Sequence, residues 1–332
     1  MSKKPNIAFV TGGYSTEAQI SYKSAVTIEN NLDRDKYNVY KIDIAPGGWF
    51  YIDAAGNKSA VDKGDFTVID KGNKIKFDAV FIGIHGTPGE DGKLQGYFDL
   101  LNLPYTSCDA LSSALTFNKR YTVAVAAFSG INVAKSVHLF NNAPYDAAAI
   151  CSTLQFPVFV KPANGGSSIG MSKVNTPDTA ALEAAIQKAF AEDTQVLIEE
   201  YIKGREFTVG VYKNNGIITV LPITEVFSKR EFFDFVAKYQ GESEEETPAK
   251  VDDHKAEKIR AAAKKIYQVF NCRAVIRIDF IYNEEKDDPF MLEINTVPGQ
   301  SEMSVIPQQV RATGGSLRDF YSAMIAEILP QQ

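Results

Sequence analysis

The clearest alternation of apolar and polar positions lies near the end of the chain. Residues 274–282 and 290–295 alternate with a period of two, which predicts two strands, and the polar run 283–289 between them predicts a turn. If the strands pair as a hairpin, four polar side chains share one face, and these are Arg277, Asp279, Glu293 and Asn295.

The two carboxylates on this face have two interpretations. Cross-strand neighbours lie roughly 5 Å apart, and like charges that close repel by about 4 kcal/mol at an effective dielectric of about 20. A cation would relieve the repulsion, and two carboxylates with an amide oxygen are hard ligands of the type that Mg²⁺ takes alongside phosphates. The alternative is an edge hairpin whose charges point into water. The hairpin alone leaves both interpretations open.

Buried strands and amphipathic helices account for most of the remaining chain. A strand at 6–10 leads through a Gly-Gly turn into a helix, which is how a doubly wound α/β unit begins. Residues 227–248 are predicted to form one long loop, and loops of that length are usually functional or disordered. Further strands are predicted at 37–44, 79–84, 156–160, 196–201, 207–212 and 217–221, and helices at 15–31, 118–130, 176–190 (capped by Thr176-Pro177), 252–270 and 317–329.

Length and charge narrow the class of protein. With 332 residues the chain has room for two or three domains, and a net charge of −6 gives no sign of a nucleic-acid or membrane partner. Three separated cysteines predict reduced thiols, and three scattered histidines do not form a zinc motif. No run approaches the roughly 20 apolar residues of a membrane span. These features predict a cytoplasmic protein.

A glycine-rich loop at 164–170 follows Lys161 at the end of a predicted strand. Its glycines allow backbone N–H groups to approach phosphate oxygens, and the hydroxyls of Ser167 and Ser168 add donors. It matches neither the Walker A loop nor the dinucleotide fingerprint. The lysine beside it favours phosphate binding over the alternative, a flexible surface loop.

Four other acidic or imidazole side chains are weaker signals on their own. Glu199 and Glu200 end a buried strand and could face a purine and a ribose, although ordinary strand-end residues look the same. His85 opens a glycine-dense turn, where a structural hydrogen bond is as good an explanation as catalysis. Glu17 follows the first Gly-Gly turn and by itself is an ordinary first-turn glutamate.

Taken together, these segments resemble the ATP-grasp superfamily and, within it, the D-alanine–D-alanine ligases. They follow family order over nearly the whole chain. The last segment is shared widely among ATP-grasp enzymes, whereas the second and fifth are narrower. The segments are Gly12-Gly13 with Glu17, His85 to Gly96, Lys161 to Met171, Glu199-Glu-Tyr, Phe233 to Tyr239, Arg277-Ile-Asp279, and Glu293 to Gly299.

The resemblance implies an ATP-grasp fold that combines α/β and α+β parts. We expect a doubly wound N-terminal α/β domain with a parallel sheet at 1–109. A central ATP-grasp subdomain at 110–206 and a C-terminal catalytic domain at 207–332, both α+β, would enclose ATP. The family also suggests a homodimer.

The resemblance implies an ATP-dependent carboxylate–amine ligase. The carboxylate of one D-alanine attacks the γ-phosphate of ATP and becomes an acyl phosphate. The amine of a second D-alanine then displaces phosphate, which gives D-alanyl-D-alanine for peptidoglycan. The partners are therefore small molecules, ATP and D-alanine.

Site residues on the nucleotide side follow from the same resemblance. Two Mg²⁺ ions, or Mn²⁺, would be held by Asp279, Glu293 and Asn295, with Glu293 bridging. The side chains expected near the ATP phosphates are Lys119, Lys161, Ser167, Ser168 and Lys238. Adenine would be framed by Glu199, Glu200, Tyr201 and Ile202, and the ribose would be bound by Glu206.

Site residues on the amino-acid side are implied in the same way. Glu17 would bind the ammonium of the first D-alanine, with His85 close to that substrate. Arg277 and the Gly299 N–H would stabilise the tetrahedral intermediate. The carboxylate of the second D-alanine would meet Ser304 and the amide of Val305.

The long loop also receives a role from the resemblance. Ser167, Tyr239 and Glu17 would form a hydrogen-bonded set that holds loop 227–248 over the site and excludes water from the acyl phosphate. In this resemblance Tyr239 matches the ligases that use D-alanine, whereas the related D-lactate ligases commonly carry histidine at this position.

Three alternatives remain beside D-alanine ligation. The first is a D-alanine–D-serine or D-alanine–D-lactate ligase. The second is an ATP-grasp enzyme that joins another carboxylate and amine. The third is a nucleotide-binding regulator without catalysis, which the intact set of Arg277, Asp279, Glu293 and Asn295 argues against, because binding alone would not require all four.

Overall fold

The computed structural model describes residues 4–166, 169–228 and 243–330. Its strands are β1 Asn6–Gly12, β2 Asn38–Ala45, β3 Gly48–Ile52, β4 Lys58–Ala60, β5 Val68–Asp70, β6 Asn73–Ile75, β7 Ala79–Ile82, β8 Ser136–Phe140, β9 Val158–Pro162, β10 Ser172–Val174, β11 Gln195–Glu200, β12 Arg205–Asn214, β13 Ile217–Val220, β14 Thr224–Ser228, β15 Ser243–Glu246, β16 Ile276–Asn283 and β17 Asp288–Asn295. Its helices are α1 Ala18–Asn31, α2 Lys93–Leu100, α3 Ala110–Phe117, α4 Lys119–Phe128, α5 Ala147–Thr153, α6 Thr179–Phe190, α7 Asp253–Val269, α8 Val305–Ala312 and α9 Leu317–Ile328. None of these helices is long and apolar enough to cross a bilayer.

The N-terminal sheet has the order β4-β3-β2-β1-β7. β2, β1 and β7 are parallel, and β3 and β4 extend the sheet in antiparallel fashion. β1 is buried on both sides, so its alternation divides two cores: Ile7 and Phe9 pack with α1 and α9, whereas Ala8 and Val10 pack with α2. Helices therefore cover both faces, as the prediction of a doubly wound unit requires.

The central sheet is antiparallel, with the order β10-β9-β11-β8. α5 and α6 cover one face, where Leu182 and Ile186 share a core with Val158 and Val160. Because successive side chains of a strand face opposite ways, Lys161 points to the face away from this core. The sheet thus presents its lysine on the side that carries the site.

The C-terminal sheet has the order β15-β14-β12-β16-β17, with β13 added beside β12. Its apolar face packs on α7, where Ile259 and Ile266 meet Val209 and Ile278 in one core. The opposite face carries the polar positions of β16 and β17. The burial of one face on α7 leaves the other face available for a site.

One core joins the N-terminal sheet to the last two helices. The rings of Phe81 and Tyr321 meet edge to face with centroids 5.4 Å apart, and Ile306 lies in the same cluster. This packing holds the segment that precedes α8 against the N-terminal sheet. The α/β and α+β fold class predicted from the sequence is confirmed.

Two details of the prediction were wrong. The ends of the expected loop 227–248 form an antiparallel pair, β14 with β15, in which Glu225 faces Glu246. An acidic run has low strand propensity, and pairing in the sheet overrides it. α6 is capped by Asp178, which accepts from Ala180 N at 2.9 Å, and not by Thr176-Pro177.

Candidate active site

The hairpin of β16 and β17 pairs in the predicted way. Arg277 lies opposite Asn295 and Asp279 lies opposite Glu293, with a shift of register directly after Asp279. β16 also pairs with β12, so the hairpin is part of a larger sheet and its Asp279 is only 8% exposed. A hairpin that merely points its charges into water does not describe this arrangement.

Arg277 supplies positive charge between the two carboxylates. Its Nε and Nη2 donate to the two oxygens of Asp279 at 2.8 and 2.7 Å, and Nη2 lies 3.8 Å from Glu293 Oε1. Thr208 donates a further hydrogen bond of 2.6 Å to Asp279. Such charge-assisted, bidentate pairs are the strong ones in proteins. The guanidinium therefore relieves much of the repulsion that the sequence predicted.

Two adjoining cavities lie on the polar face of the C-terminal sheet. One has a volume of about 410 Å³ and reaches the N-terminal domain, and the other has about 720 Å³ and reaches the central sheet. Seven residues line both: Lys119, Gly165, Gly166, Glu206, Val226, Asp279 and Glu293. After the ligands that the sequence resemblance implies for their residues, we call the first the substrate cavity and the second the nucleotide cavity.

The structure brings together sixteen of the twenty predicted site residues. Those in the substrate cavity are Glu17, His85, Lys119, Glu206, Arg277, Asp279, Glu293, Asn295, Gly299, Ser304 and Val305. Those in the nucleotide cavity, some of them shared, are Lys119, Lys161, Glu199, Glu200, Tyr201, Ile202, Glu206, Asp279 and Glu293. The other four, Ser167, Ser168, Lys238 and Tyr239, lie outside the described residues.

The glycine-rich loop is tied to the start of α4. Asn118 caps this helix by accepting from Tyr121 N, and its side-chain amide donates to Asn164 at 3.0 Å. Lys119 donates from its ammonium to the Gly165 carbonyl at 2.6 Å. These contacts hold a cation and the first part of the loop at the junction of the two cavities.

Two ion pairs organise the nucleotide cavity, and the sequence revealed neither. β9 and β11 are antiparallel with Lys161 opposite Leu197, which places Lys161 diagonally across from Glu199, and the two side chains form an ion pair. Arg205 holds Glu225 in a bidentate pair with two bonds of 2.7 Å. Lys161 and Glu199 are mostly buried, so their pair fixes the wall of the cavity more firmly than a surface pair would, whereas Arg205 remains 34% exposed.

The N-terminal wall of the substrate cavity carries His85 and two glutamates. Burial, together with the nearby Arg277, lowers the pKa of His85 to about 4. Burial and the neighbouring Glu17 carboxylate raise the pKa of Glu90, against hydrogen bonds from the N–H groups of Gly86 at 2.6 Å and Val297 at 3.3 Å. His85 is therefore a neutral ring at ordinary pH, and Glu90 binds a proton more readily than an exposed glutamate does.

Glycines make room for the Glu17 carboxylate. A side chain at Gly86 or at Gly166 would collide with it, so both backbones approach this carboxylate closely. The two glycines come from the N-terminal domain and from the glycine-rich loop. Glu17 thus lies where three segments of the chain meet, on the wall of the substrate cavity.

The segment before α8 completes the substrate cavity. The Ser304 hydroxyl lies 2.7 Å from that of Ser301 and makes no capping bond to the helix. The N–H groups at a helix start favour negatively charged ligands. Ser304 and the following amide are suitably placed for a carboxylate.

Sequence reasoning missed several polar residues of the site. Thr208 lies opposite Asp279 on β12, and Glu245 on β15 lines the substrate cavity while accepting from Gln308 at 2.8 Å. Strand order is not written in local periodicity, so Thr208 gave no signal. The sequence did carry a signal for Glu90, because this residue lies within the glycine-dense segment that follows His85.

Family comparisons agree with this geometry. The family described as D-ala D-ala ligase N-terminus matches residues 6–108, and the one described as D-ala D-ala ligase C-terminus matches residues 118–326. A D-alanine–D-alanine ligase of Flavobacterium johnsoniae is 44% identical over 96% of this chain and 98% of its own length. One from Parabacteroides distasonis is 43% identical over 98% of both chains.

Solved structures show the same likeness. D-alanyl-alanine synthetase A from Vibrio cholerae superimposes with a TM-score of 0.88 at 28% identity, over all of both chains. VanG D-Ala:D-Ser ligase from Enterococcus faecalis gives 0.86 at 30% identity, over 98% of this chain and 99% of its own. A D-alanine–D-alanine ligase from Bacillus anthracis complexed with ATP gives 0.77 at 26% identity, over 97% and 96%. The chain therefore belongs to the D-alanine–D-alanine ligase family, as the sequence motifs indicated.

Proposed function

We propose that the chain is an ATP-dependent ligase that joins two D-alanines to D-alanyl-D-alanine for peptidoglycan, with release of ADP and phosphate. The observation that carries the proposal is the pair of cavities with a common wall. That wall contains a cation at Lys119 and the carboxylates of Asp279 and Glu293. A γ-phosphate held there would face the nucleotide on one side and an amino-acid carboxylate on the other.

Divalent ions fit the hairpin face by the chemistry of its donors. Asp279, Glu293 and Asn295 offer hard oxygens. Oδ2 of Asp279 keeps a lone pair beyond its bond to Arg277, whereas Oδ1 already accepts from both Arg277 and Thr208. No group of three His, Cys, Asp or Glu side chains suited to a metal occurs in the described part of the chain, so phosphate oxygens would complete the shell. Bound there, two Mg²⁺ or Mn²⁺ ions would neutralise phosphate charge during transfer.

The chain's own groups bind and orient the substrates in this proposal. Lys119 and Lys161, with Ser167, Ser168 and Lys238, hold the ATP phosphates. Glu17 binds the ammonium of the first D-alanine, whose carboxylate then attacks the γ-phosphate in line. Adenine lies against the strand end that is formed by Glu199, Glu200, Tyr201 and Ile202, and the ribose lies at Glu206.

The second half-reaction uses donors aimed at developing negative charge. The amine of the second D-alanine attacks the acyl phosphate and forms a tetrahedral oxyanion. Arg277 and the Gly299 N–H stabilise that oxyanion, and preorganised donors of this kind are among the largest contributors to catalysis. Ser304 and the amide of Val305 hold the carboxylate of the incoming D-alanine.

Closure of the site, domain division and assembly are further parts of the proposal. Tyr239, Ser167 and Glu17 would hold the segment between β14 and β15 over the substrates. We also infer division near residues 109 and 206, a homodimer and a cytoplasmic location. Family resemblance supports the homodimer, and the three separated cysteines support the cytoplasmic location. Light scattering of the purified chain measures the mass, and a monomer at working concentration would contradict the dimer.

A direct assay tests the proposed activity. Incubation with ATP, Mg²⁺ and D-alanine should release phosphate and give the mass of the dipeptide. Phosphate release without D-alanine, or none with it, would overturn the proposal. Since one structural relative is described as a D-Ala:D-Ser ligase, D-serine is added in competition, and the mixed dipeptide as main product would reassign the second substrate.

A further inference from the structure

Ser24 connects two groups of the substrate cavity. It lies on α1 and is 1% exposed. Its hydroxyl oxygen lies 3.1 Å from the backbone N of Gln300 and 3.1 Å from Nε2 of the His85 ring. Gln300 belongs to the segment that follows Gly299, and His85 belongs to the N-terminal wall of the substrate cavity.

The hydroxyl proton of Ser24 determines which ring nitrogen of His85 is protonated. A backbone N–H can only donate, so the hydroxyl oxygen accepts from Gln300. Within the described residues, the Ser24 hydroxyl has no hydrogen bond besides the two just given. Its single proton therefore goes to Nε2 of His85, because a buried hydroxyl proton without an acceptor is unfavourable. A neutral ring that accepts at Nε2 carries its own proton on Nδ1.

The low pKa of His85 agrees with this assignment. Protonation of Nε2 would place two protons between the ring and Ser24, and the guanidinium of Arg277 already disfavours an imidazolium. The hydrogen bonds and the burial thus favour the same neutral form.

Gln300 extends the connection to the Gly299 peptide. Its side-chain amide donates to the Pro298 carbonyl at 3.2 Å and its Oε1 accepts from the Tyr321 hydroxyl at 3.0 Å. Because a carbonyl cannot donate, this is the one orientation of the amide that satisfies both contacts. In a trans peptide the N–H points opposite to the C=O, so the Gly299 N–H points away from Gln300. It makes no hydrogen bond to another described residue.

We propose that Ser24 is a positioning residue of the ligation reaction: its hydroxyl holds His85 as a neutral ring that donates through Nδ1, and ties that ring to the segment that carries the Gly299 N–H. His85 then serves substrate oxygens as a hydrogen-bond donor and takes no proton at Nε2. The catalytic part of this inference rests on the proposed function, whereas the tautomer does not.

Nitrogen-15 spectra of the full chain test the tautomer directly. The chain has three histidines, and loss of one signal set in His85→Gln assigns the ring. Near neutral pH we expect His85 to be neutral with its proton on Nδ1. Detection of the Nε2–H form or of an imidazolium in the unmodified chain would overturn the proposal, and this measurement does not depend on activity.

A matched pair of serine variants tests the role of the hydroxyl. Ser24→Ala should shift His85 toward the Nε2–H form that neutral imidazole prefers in water. Ser21→Ala is the control: Ser21 is also buried on α1 and also contacts His85, but it accepts from the backbone N at 2.9 Å and does not bond the ring. It should keep the Nδ1–H form. A ring that stays in that form in Ser24→Ala would contradict the assignment.

Steady-state kinetics test positioning. Ser24→Ala should lower kcat by about 10-fold, the scale on which one lost hydrogen bond changes a rate, while KM for ATP stays near its original value. An unchanged kcat would overturn the positioning role. If the unmodified chain forms no dipeptide, the proposed function fails, and the tautomer result still stands by itself.

Discussion

The two walls of the substrate cavity compensate their carboxylates in different ways. On the hairpin wall, Asp279 and Glu293 share the guanidinium of Arg277. On the N-terminal wall, Glu90 accepts two backbone N–H groups beside Glu17, and burial raises its pKa. The first wall uses a fixed cation, and the second uses backbone donors and a tendency to bind a proton.

This difference separates the work of the two walls. Carboxylates arranged around a cation, with lone pairs left over, are suited to divalent ions and phosphate charge. The neutral imidazole of His85 and the weakly acidic carboxyl group of Glu90 are suited to hold small substrates by hydrogen bonds, without adding charge beside the phosphates. Substitutions on the hairpin wall should therefore reduce turnover most. Substitutions on the N-terminal wall should mainly change the protonation of its side chains and the stability of the fold.

The largest effect is expected for Glu293→Gln. Loss of one negative oxygen from the proposed ion site should reduce kcat by about 100- to 1,000-fold, the scale of removing one electrostatic group from a transition state. Phosphate release measures the rate and circular dichroism checks the fold. Glu284→Gln is the matched control, because Glu284 lies in the turn of the same hairpin and pairs with Lys255 at 2.6 Å. Near-normal turnover of Glu293→Gln would refute its metal role.

Arg277→Lys should have the next largest effect. Lysine keeps the charge but cannot reproduce the two parallel bonds to Asp279. We expect a loss of roughly 100-fold in kcat/KM. Arg273→Lys, at the exposed pair with Asp109, should leave the rate within about twofold. Equal effects of the two variants would show that charge alone matters on this wall.

The N-terminal wall predicts a pH dependence of stability. The folded-state pKa of His85 is lowered from 6.5 to about 4, so in this interval the unfolded chain binds the proton and the folded chain does not. The contribution of the neutral ring is complete above pH 6.5 and is lost as pH falls. One pH unit below that value the loss is about 1.4 kcal/mol.

Thermal unfolding of the unmodified chain and of His85→Gln measures this contribution. The difference between their midpoints should shrink as the pH falls from 6.5 toward 4. A difference that is constant, or that grows, would contradict a buried neutral imidazole.

The smallest effect is expected for Thr208→Val. The variant keeps the shape of the side chain and removes the 2.6 Å hydrogen bond to Asp279. A loss of about 1 kcal/mol in stability is typical for one such bond, and a loss of activity of about fivefold corresponds to the same energy. Thr219→Val on β13 is the control, since its hydroxyl makes only a weak bond of 3.5 Å to Ile217 O. Equal losses of stability and activity in both variants would show that the Thr208 hydrogen bond has no particular role in the site.

The hairpin wall could be predicted from sequence because its pattern is local. A period of two decides which side chains share a face, and a short turn decides which strand is the partner. The placement of Asp279 and Glu293 on the same face of the hairpin follows from those two facts. The pattern could not show that Arg277 bonds Asp279 directly, because the carboxylate with which a guanidinium pairs depends on the conformation of both side chains.

The N-terminal wall could not be predicted because its contacts are distant in sequence. Ser24 meets Gln300 across 276 positions, and Glu90 meets Val297 across 207. Such pairs depend on how α8 and α9 pack on the N-terminal sheet. Short elements were missed for a related reason: α3, α5 and α8 have seven or eight residues, too few for periodicity to be distinctive.

Ion positions in a ternary complex test the central claim most directly. Crystals grown with a non-hydrolysable ATP analogue and Mn²⁺ would show the ions by anomalous scattering. The account predicts two peaks between the phosphates and the hairpin face, with oxygens of Asp279, Glu293 and Asn295 about 2.1 Å from the metals. Ions held by phosphate alone, with the hairpin oxygens beyond coordinating distance, would contradict it.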